Sequence, residues 1–280
     1  MSDSVRVAPE TLARWVAQER CVVFDCRFNL ADPDAGRSAW LEGHIPGSVY
    51  AHLDNDLAGP VTSASGRHPL PAPEPFAEFL GRSGWQPGKL AVAYDGGGGM
   101  IAARFWWLMR YFGLDGAHLL DGGLAAWRKA SLPLEEGASD VVSCDPPDVF
   151  PRHDLVMSVH DVERALHSGE IALLDARAEG RFRGDYEPLD SVAGHVPGAL
   201  NFPCEHNLED GRLKSAADLR EAYEAVLPAG VPVVHMCGSG VTACFNFLAM
   251  EEAGYTGARV YVGSWSEWIR DPSRPISTGD

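Results

Sequence analysis

"VVHMCGSGVTACFNF", residues 233–247, is the stretch from which the fold class can be read. An apolar run stops at Cys237, the small or turn-forming residues Gly238, Ser239 and Gly240 follow, and an apolar, helix-like segment opens near Val241 or Thr242. That pattern is a buried strand, a tight turn and a helix, with the cysteine on the turn. A near-copy, "AVAYDGGGGMIAARFWW", occupies residues 91–107 and has Asp95 in the cysteine's place.

The copying extends well beyond this turn. "VVFDCR" (22–27) returns as "ALLDAR" (172–177), "EGHIPGSVY" (42–50) as "AGHVPGALN" (193–201), and "DGGLAAW" (121–127) as "VGSWSEW" (262–268). The matches keep their order and their offsets stay between 141 and 151 residues, so the chain reads as one domain duplicated rather than as a short-period solenoid. The Pro-, Asp- and Ser-rich stretch 131–154 reads as the linker, with the boundary near Asp145 to Arg152; we expect domains over 1–145 and 146–280.

Within each copy, helices alternate with strands that are apolar throughout. Helices are predicted over Pro9–Gln18 and Val159–His167, the second capped by Ser158. "CVVFD", "IALLD", "LAVAYD" and "VPVVHM" read as strands with no polar face, which predicts a mainly parallel α/β sheet covered by helices on both sides. Ligands of such sheets gather at the carboxyl ends of the strands, where Cys237 falls.

Composition narrows the function classes. A formal net charge of −16 argues against nucleic acid or an anionic membrane surface as partner, and makes the position of each arginine informative. No signal peptide and no membrane span are expected. The six cysteines form no CxxC pair and no zinc-ligand spacing, so free thiols in a reducing cytoplasm are expected.

The backbone N–H groups of Gly238, Ser239 and Gly240, backed by a helix N-terminus, can form a nest for a thiolate or for an anion beside it. From the residues alone, Cys237 is either a nucleophile or an ordinary buried thiol; Cys244, inside the helix, reads as structural. No G-x-x-x-x-G-K-[ST] is present, which excludes a nucleotide P-loop. Position 243, six after the cysteine, is alanine, where a cysteine phosphatase would need an arginine.

The duplication, the D-x-R and G-H-[IV]-P-G motifs in both halves, and "CGSGVTAC" together resemble the two-domain rhodanese-type sulfurtransferases over nearly the whole chain. The resemblance implies two tandem rhodanese-like domains, the first inactive (Asp95) and the second catalytic. It also implies sulfur transfer through a Cys237 persulfide, from a small anionic donor to a thiol, cyanide or thioredoxin-like protein-thiol acceptor, without metal or organic cofactor. The loop C-G-S-G-V-T is similar to that of 3-mercaptopyruvate sulfurtransferases; thiosulfate enzymes carry two cations directly after the cysteine. Thiosulfate sulfurtransferase, or a non-enzymatic sulfur-delivery or protein-binding module, are the alternatives.

By position in the family's motifs, Ser239, His68 and Asp56 assist Cys237, with His68 and Asp56 drawn from the N-terminal half. Arg181, Gly238, Gly240, Val241 and Thr242 line the donor's place. Mercaptopyruvate enzymes resembling this chain carry a second arginine nine residues after the first; here that place is Asp190, which leaves Arg183 or Arg67 to supply the second cation. The remaining repeated residues, Asp25, Arg27, Asp175, Arg177, His44, His195, Trp127 and Trp268, read as structural because both copies have them.

Overall fold

The computed structural model describes residues 4–279; residues 1–3 and 280, at the ends of the two expected domains, lie outside the described residues. The chain divides into two compact units. The first comprises Met1–Gly59, Leu70–Arg152 and Asp210–Leu213, and the second Pro60–Pro69, His153–Glu209 and Lys214–Asp280.

In the first unit, strands β1 (Arg6–Val7), β2 (Cys21–Asp25), β3 (Val49–Tyr50), β4 (Leu90–Tyr94) and β5 (Ala117–Leu120) form one sheet in the order β1-β5-β4-β2-β3. Every neighbouring pair is parallel. Its helices are α1 (Pro9–Ala17), α2 (Ala35–Glu42), α3 (Pro73–Arg82), α4 (Ala102–Tyr111) and α5 (Gly123–Lys129). Pro9 and Pro73 open α1 and α3, where proline's missing N–H would have no partner in any case.

Successive strand residues face opposite sides of the sheet, and the core divides accordingly. Val23 and Val92 join Leu12 of α1 with Leu124 and Trp127 of α5 on one side. On the other, Phe24 stacks on Phe105 of α4 with centroids 4.2 Å apart and meets Phe79 of α3 at 5.7 Å. The continuous apolar strands are thus the consequence of two covered faces.

The second unit repeats the scheme with β6 (Ala172–Asp175), β7 (Leu200–Asn201), β10 (Val233–Met236) and β11 (Arg259–Val260), ordered β11-β10-β6-β7 and again all parallel. Two further short strands, β8 (Leu208–Glu209) and β9 (Arg212–Leu213), belong to neither sheet. The helices are α6 (Val159–Ser168), α7 (Glu179–Arg183), α8 (Ala216–Glu224), α9 (Thr242–Glu252) and α10 (Ser264–Trp268). Ser158 caps α6 by accepting the Asp161 N–H at 3.2 Å, and Gly169, left-handed at φ 72, ends it. Val162 and Ala165 of α6 pack with Leu173, Val234, Trp265 and Trp268 on one face, while His235 turns to Phe247 of α9 on the other.

The duplication holds at the level of single atoms. Arg27 forks onto Asp25 and donates to the Gly43 carbonyl at 3.0 Å; Arg177 forks onto Asp175 and donates to the Gly194 carbonyl at 2.8 Å. In both copies the D-x-R pair therefore ties a strand end to the Gly-His turn. His44 and His195 bond the carbonyls of Trp40 and Phe182 through Nδ1, and Trp127 and Trp268 donate to the carbonyls of Pro133 and Pro275. These are architectural roles.

The linker stretch has no helix or strand over 138–152, yet it is pinned to the first unit. Cys144 N–H reaches Gly81 O at 2.9 Å, Phe150 N–H reaches Phe112 O at 3.0 Å, and Arg152 N–H reaches Tyr111 O at 2.7 Å. No helix among the described residues is long and apolar enough to cross a membrane.

Candidate active site

Because the second sheet is wholly parallel, the turn between β10 and α9 lies at the carboxyl end of an inner strand, next to β6 and β11. Gly240 sits at φ +79, and a Cβ there would fall 2.3 Å from the Val262 carbonyl oxygen, so no other residue fits. The turn is held from α10: Trp265 N–H donates to Cys237 O at 3.0 Å and Ser266 N–H to Gly238 O at 2.9 Å. Ser264 Oγ in turn accepts the Cys237 N–H at 3.1 Å.

Within this frame the Cys237 sulfur accepts the N–H of Gly240 at 3.1 Å and lies at the entry of the eleven-residue helix α9. A backbone donor and a positive helix end both favour negative charge on the sulfur or on an atom bound to it. Cys237 is 2% exposed. Val241 precedes α9 and is buried, Thr242 is its first residue with its hydroxyl beside the Cys204 thiol, and Cys244 is buried with its thiol on the Gly240 carbonyl at 3.2 Å.

Ser239 and His68 meet: Ser239 Oγ and His68 Nδ1 are 2.7 Å apart, and both residues are buried. His68 comes from the N-terminal half of the sequence, but its segment, Pro60–Pro69, is part of the second compact unit. That segment is fastened there by Arg67 N–H donating to Ser266 Oγ at 3.0 Å, and by Gly66, whose missing side chain leaves room for the Gly263 carbonyl. Asp56 is in the first unit. Its carboxylate accepts the His52 N–H at 2.8 Å and pairs with Arg82, while burial, its largest influence, pushes its pKa up.

Two guanidinium groups converge beside Cys237. A Cβ on Gly238 would lie 3.0 Å from Arg67 Nη2 and 3.4 Å from Arg181 Nη2. Arg181 is held by Glu187, at 2.7 Å from Nη2 and 3.1 Å from Nε, and reaches Asp190 at 3.4 Å; Asp190 also pairs with Arg67. Arg183 does not join them; it pairs with Asp185 and Glu179 on exposed surface. Arg67 is therefore the second cation near Gly238, and a cationic side chain at 238 would compete with it for this space.

The equivalent turn of the first unit is closed by its own side chain. Asp95 Oδ1 accepts the N–H groups of Gly97 and Gly99, and Oδ2 those of Ile101 and Ala102, over 2.9–3.3 Å. Burial, the largest influence, pushes this carboxyl above its ordinary range, and the four N–H groups offset only part of that rise. With two donors aimed at each oxygen, the carboxylate is the form the loop accommodates. Three other thiols are pushed up chiefly by burial: Cys21 to about 11, Cys26 well above its ordinary value, and Cys204 further raised by Glu205 and by Cys237. All six cysteines are free, and no group of three or more His, Cys, Asp or Glu suited to a metal occurs among the described residues.

Two residues that hold the site carry no signal in a local motif. Glu187 anchors Arg181 and is buried among arginines, yet it lies in an ordinary polar loop, "DYEPLDS". Ser264 stands where the first copy has Gly123; setting the two repeats side by side would have exposed that exchange.

The comparisons with known proteins fall along the same lines. The model of the rhodanese-like domain matches residues 8–130 and again 158–271. A probable 3-mercaptopyruvate sulfurtransferase of Pseudomonas aeruginosa is 45% identical, covering 100% of both chains. A putative thiosulfate sulfurtransferase of Mycobacterium tuberculosis is 37% identical over 92% of this chain and 90% of its own. The crystal structure of SseA from Escherichia coli, described as a 3-mercaptopyruvate sulfotransferase, superposes with a TM-score of 0.83 at 31% identity, covering 94% of this chain and 100% of that one. This chain belongs to the rhodanese-like domain family and carries two copies of that domain in tandem.

Proposed function

We propose that the protein is a sulfurtransferase that takes sulfur from 3-mercaptopyruvate onto Cys237 and passes it to a thiol or cyanide. The observation that carries this reading is the pair of guanidinium groups, Arg67 and Arg181, beside Gly238 and hence beside the cysteine of the nest. Relatives named for both mercaptopyruvate and thiosulfate support the reaction type, and the Gly238–Ser239 pair supports the carboxylate donor over the dianion.

In the first half-reaction the Cys237 thiolate attacks the donor's sulfur. The carbon–sulfur bond breaks with its electron pair left on carbon, giving the enolate of pyruvate, which takes up a proton. Arg181 and Arg67 hold the donor carboxylate, a task suited to planar guanidinium forks. Ser239, bonded to His68, is placed to polarise the donor carbonyl and relay the proton. The Gly240 N–H and the start of α9, at Val241 and Thr242, stabilise the charge left on the sulfur. In the second half-reaction an acceptor thiolate, small or protein-borne, or cyanide takes the outer sulfur and Cys237 leaves as thiolate.

The division of labour follows: the first unit, its nest filled by Asp95, is the inactive copy, and the second, which holds Cys237 and takes in the segment Pro60–Pro69 with Arg67 and His68, is the catalytic one. The six free thiols support a reducing, cytoplasmic setting. Intact-mass measurement after mixing with mercaptopyruvate tests the reading. A gain of about 32 Da, the mass of one sulfur, is expected; it disappears in Cys237→Ser and persists in Cys244→Ser. No gain with either mercaptopyruvate or thiosulfate would overturn it.

A further inference from the structure

The arginines beside Cys237 are already matched by two carboxylates, and these are held in different ways. Glu187 Oε1 accepts from Arg181 Nη2 at 2.7 Å and from the N–H groups of Leu189 at 3.0 Å and Asp190 at 3.3 Å, while Oε2 faces Arg181 Nε at 3.1 Å and Arg177 at 3.5 Å. Among the described residues the Asp190 carboxylate bonds guanidinium groups alone: Arg67 on Oδ1, and Arg181 on Oδ2 at a long 3.4 Å. Burial favours the neutral form of both carboxyls, but the Arg181 fork and backbone donors hold Glu187 below its ordinary range, whereas Asp190 ends above its own. Glu187 is thus a fixed part of the frame, and Asp190 is the group an incoming anion can replace.

We propose that Asp190 is the specificity-determining residue for donor charge: a resident counter-anion of Arg67 and Arg181 that keeps the pocket formally neutral, admits a monocarboxylate and disfavours a dianion. The proposal rests on reading this pocket as the donor site of a sulfurtransferase. Two guanidinium groups face two carboxylates before any donor arrives, so the donor must push Asp190 aside or bind against it. Coulomb energy is linear in the ligand's charge, so a dianion meets twice the opposition a monoanion does. Removing the charge of Asp190 should multiply the affinity for a monoanion by some factor and that for a dianion by its square.

Asp190→Asn keeps the side chain's shape and removes the charge. Its KM should fall by about fivefold for mercaptopyruvate and about twenty-five-fold for thiosulfate at low ionic strength, with both gains shrinking near ~0.5 M salt. Pyruvate and sulfate, unreactive probes of one and two charges, should show the same contrast by titration calorimetry. Asp185→Asn removes an equal charge from the same loop, where Asp185 pairs with Arg183, and should leave the ratio of the two donors unchanged. Equal changes for both donors in Asp190→Asn, or an equal shift of the ratio in Asp185→Asn, would overturn the assignment. If wild type takes up no sulfur while sulfate still gains over pyruvate in Asp190→Asn, the charge assignment stands and the sulfurtransferase reading falls. If wild type takes up sulfur and the donor ratio does not move in Asp190→Asn, the sulfurtransferase reading stands and the charge assignment falls.

Discussion

Ser264 adopts φ 54, in the left-handed region that costs a non-glycine residue about 1–2 kcal/mol. The matching residue of the first copy, Gly123, has φ 57 and no such cost. What the serine adds is a hydroxyl under the turn: it accepts the Cys237 N–H and donates to the Tyr261 carbonyl at 2.9 Å. Strain kept at a nucleophile's support points to positioning. Ser264→Gly should unfold within a few degrees of wild type, because relieved strain offsets the lost hydrogen bonds, yet its kcat should fall. Ser264→Ala keeps the strain and leaves the Cys237 N–H unpaired, so it should be destabilised by about 1–3 kcal/mol as well. Thermal unfolding and steady-state rates on the two variants separate these effects; a fully active Ser264→Gly would show that the hydroxyl only fills space. Ser239 and His68 invite a different comparison, since they are bonded to each other at 2.7 Å. Ser239→Ala and His68→Ala should each lower kcat with mercaptopyruvate by about 10²-fold, and the double variant should be little worse than either, as residues acting as one unit are not additive. Losses that multiply in the double variant would mean that the two act separately.

The two strand–turn–helix elements make the same nest and fill it differently. In the second unit the nest is left for the sulfur of Cys237 and what it carries; in the first, Asp95 supplies its own anion to four N–H groups. Asp95→Ala orphans those four donors at once, of which the Gly99 and Ala102 N–H groups are buried. It should lower unfolding stability by about 2–4 kcal/mol while the persulfide still forms on Cys237. Added sulfate should recover part of the loss by entering the vacated nest. A variant as stable as wild type would mean that the turn holds its shape without an anion. These elements were legible because their signals are local: apolar runs of strand length, glycines where φ is positive, and a repeat that lines up Asp95 with Cys237. The α6 cap at Ser158 and the strands Cys21–Asp25 and Leu90–Tyr94 followed from the same signals. The charge frame of the site was not legible in this way. Arg67 and Asp190 are 123 residues apart, and neither position has a local pattern that predicts their pairing. Glu187 looks like any loop carboxylate until the fold buries it between Arg177 and Arg181.

For the molecule as a whole, the duplication also marks where the copies diverge at a cost, and His235 is such a place. It is fully buried in β10, next to Phe247, and neither ring nitrogen has a hydrogen-bond partner among the described residues. The first copy has Ala93 at the matching position. Burial lowers the pKa of His235 to about 3, against about 6.5 for an unfolded chain. Above the unfolded value neither state is protonated and the group adds no pH dependence. Between the two values the unfolded chain binds a proton that the folded protein refuses, so stability falls as the pH falls, by at most about 1.4 kcal/mol per pH unit from this one group. His235→Leu removes that contribution together with two unpaired polar atoms. Urea unfolding from about pH 8 to about pH 4 should show the variant at least as stable as wild type at the alkaline end, and increasingly more stable toward the acid end. Curves that run parallel across that range would mean that His235 finds a partner in the folded protein and is not held neutral by burial.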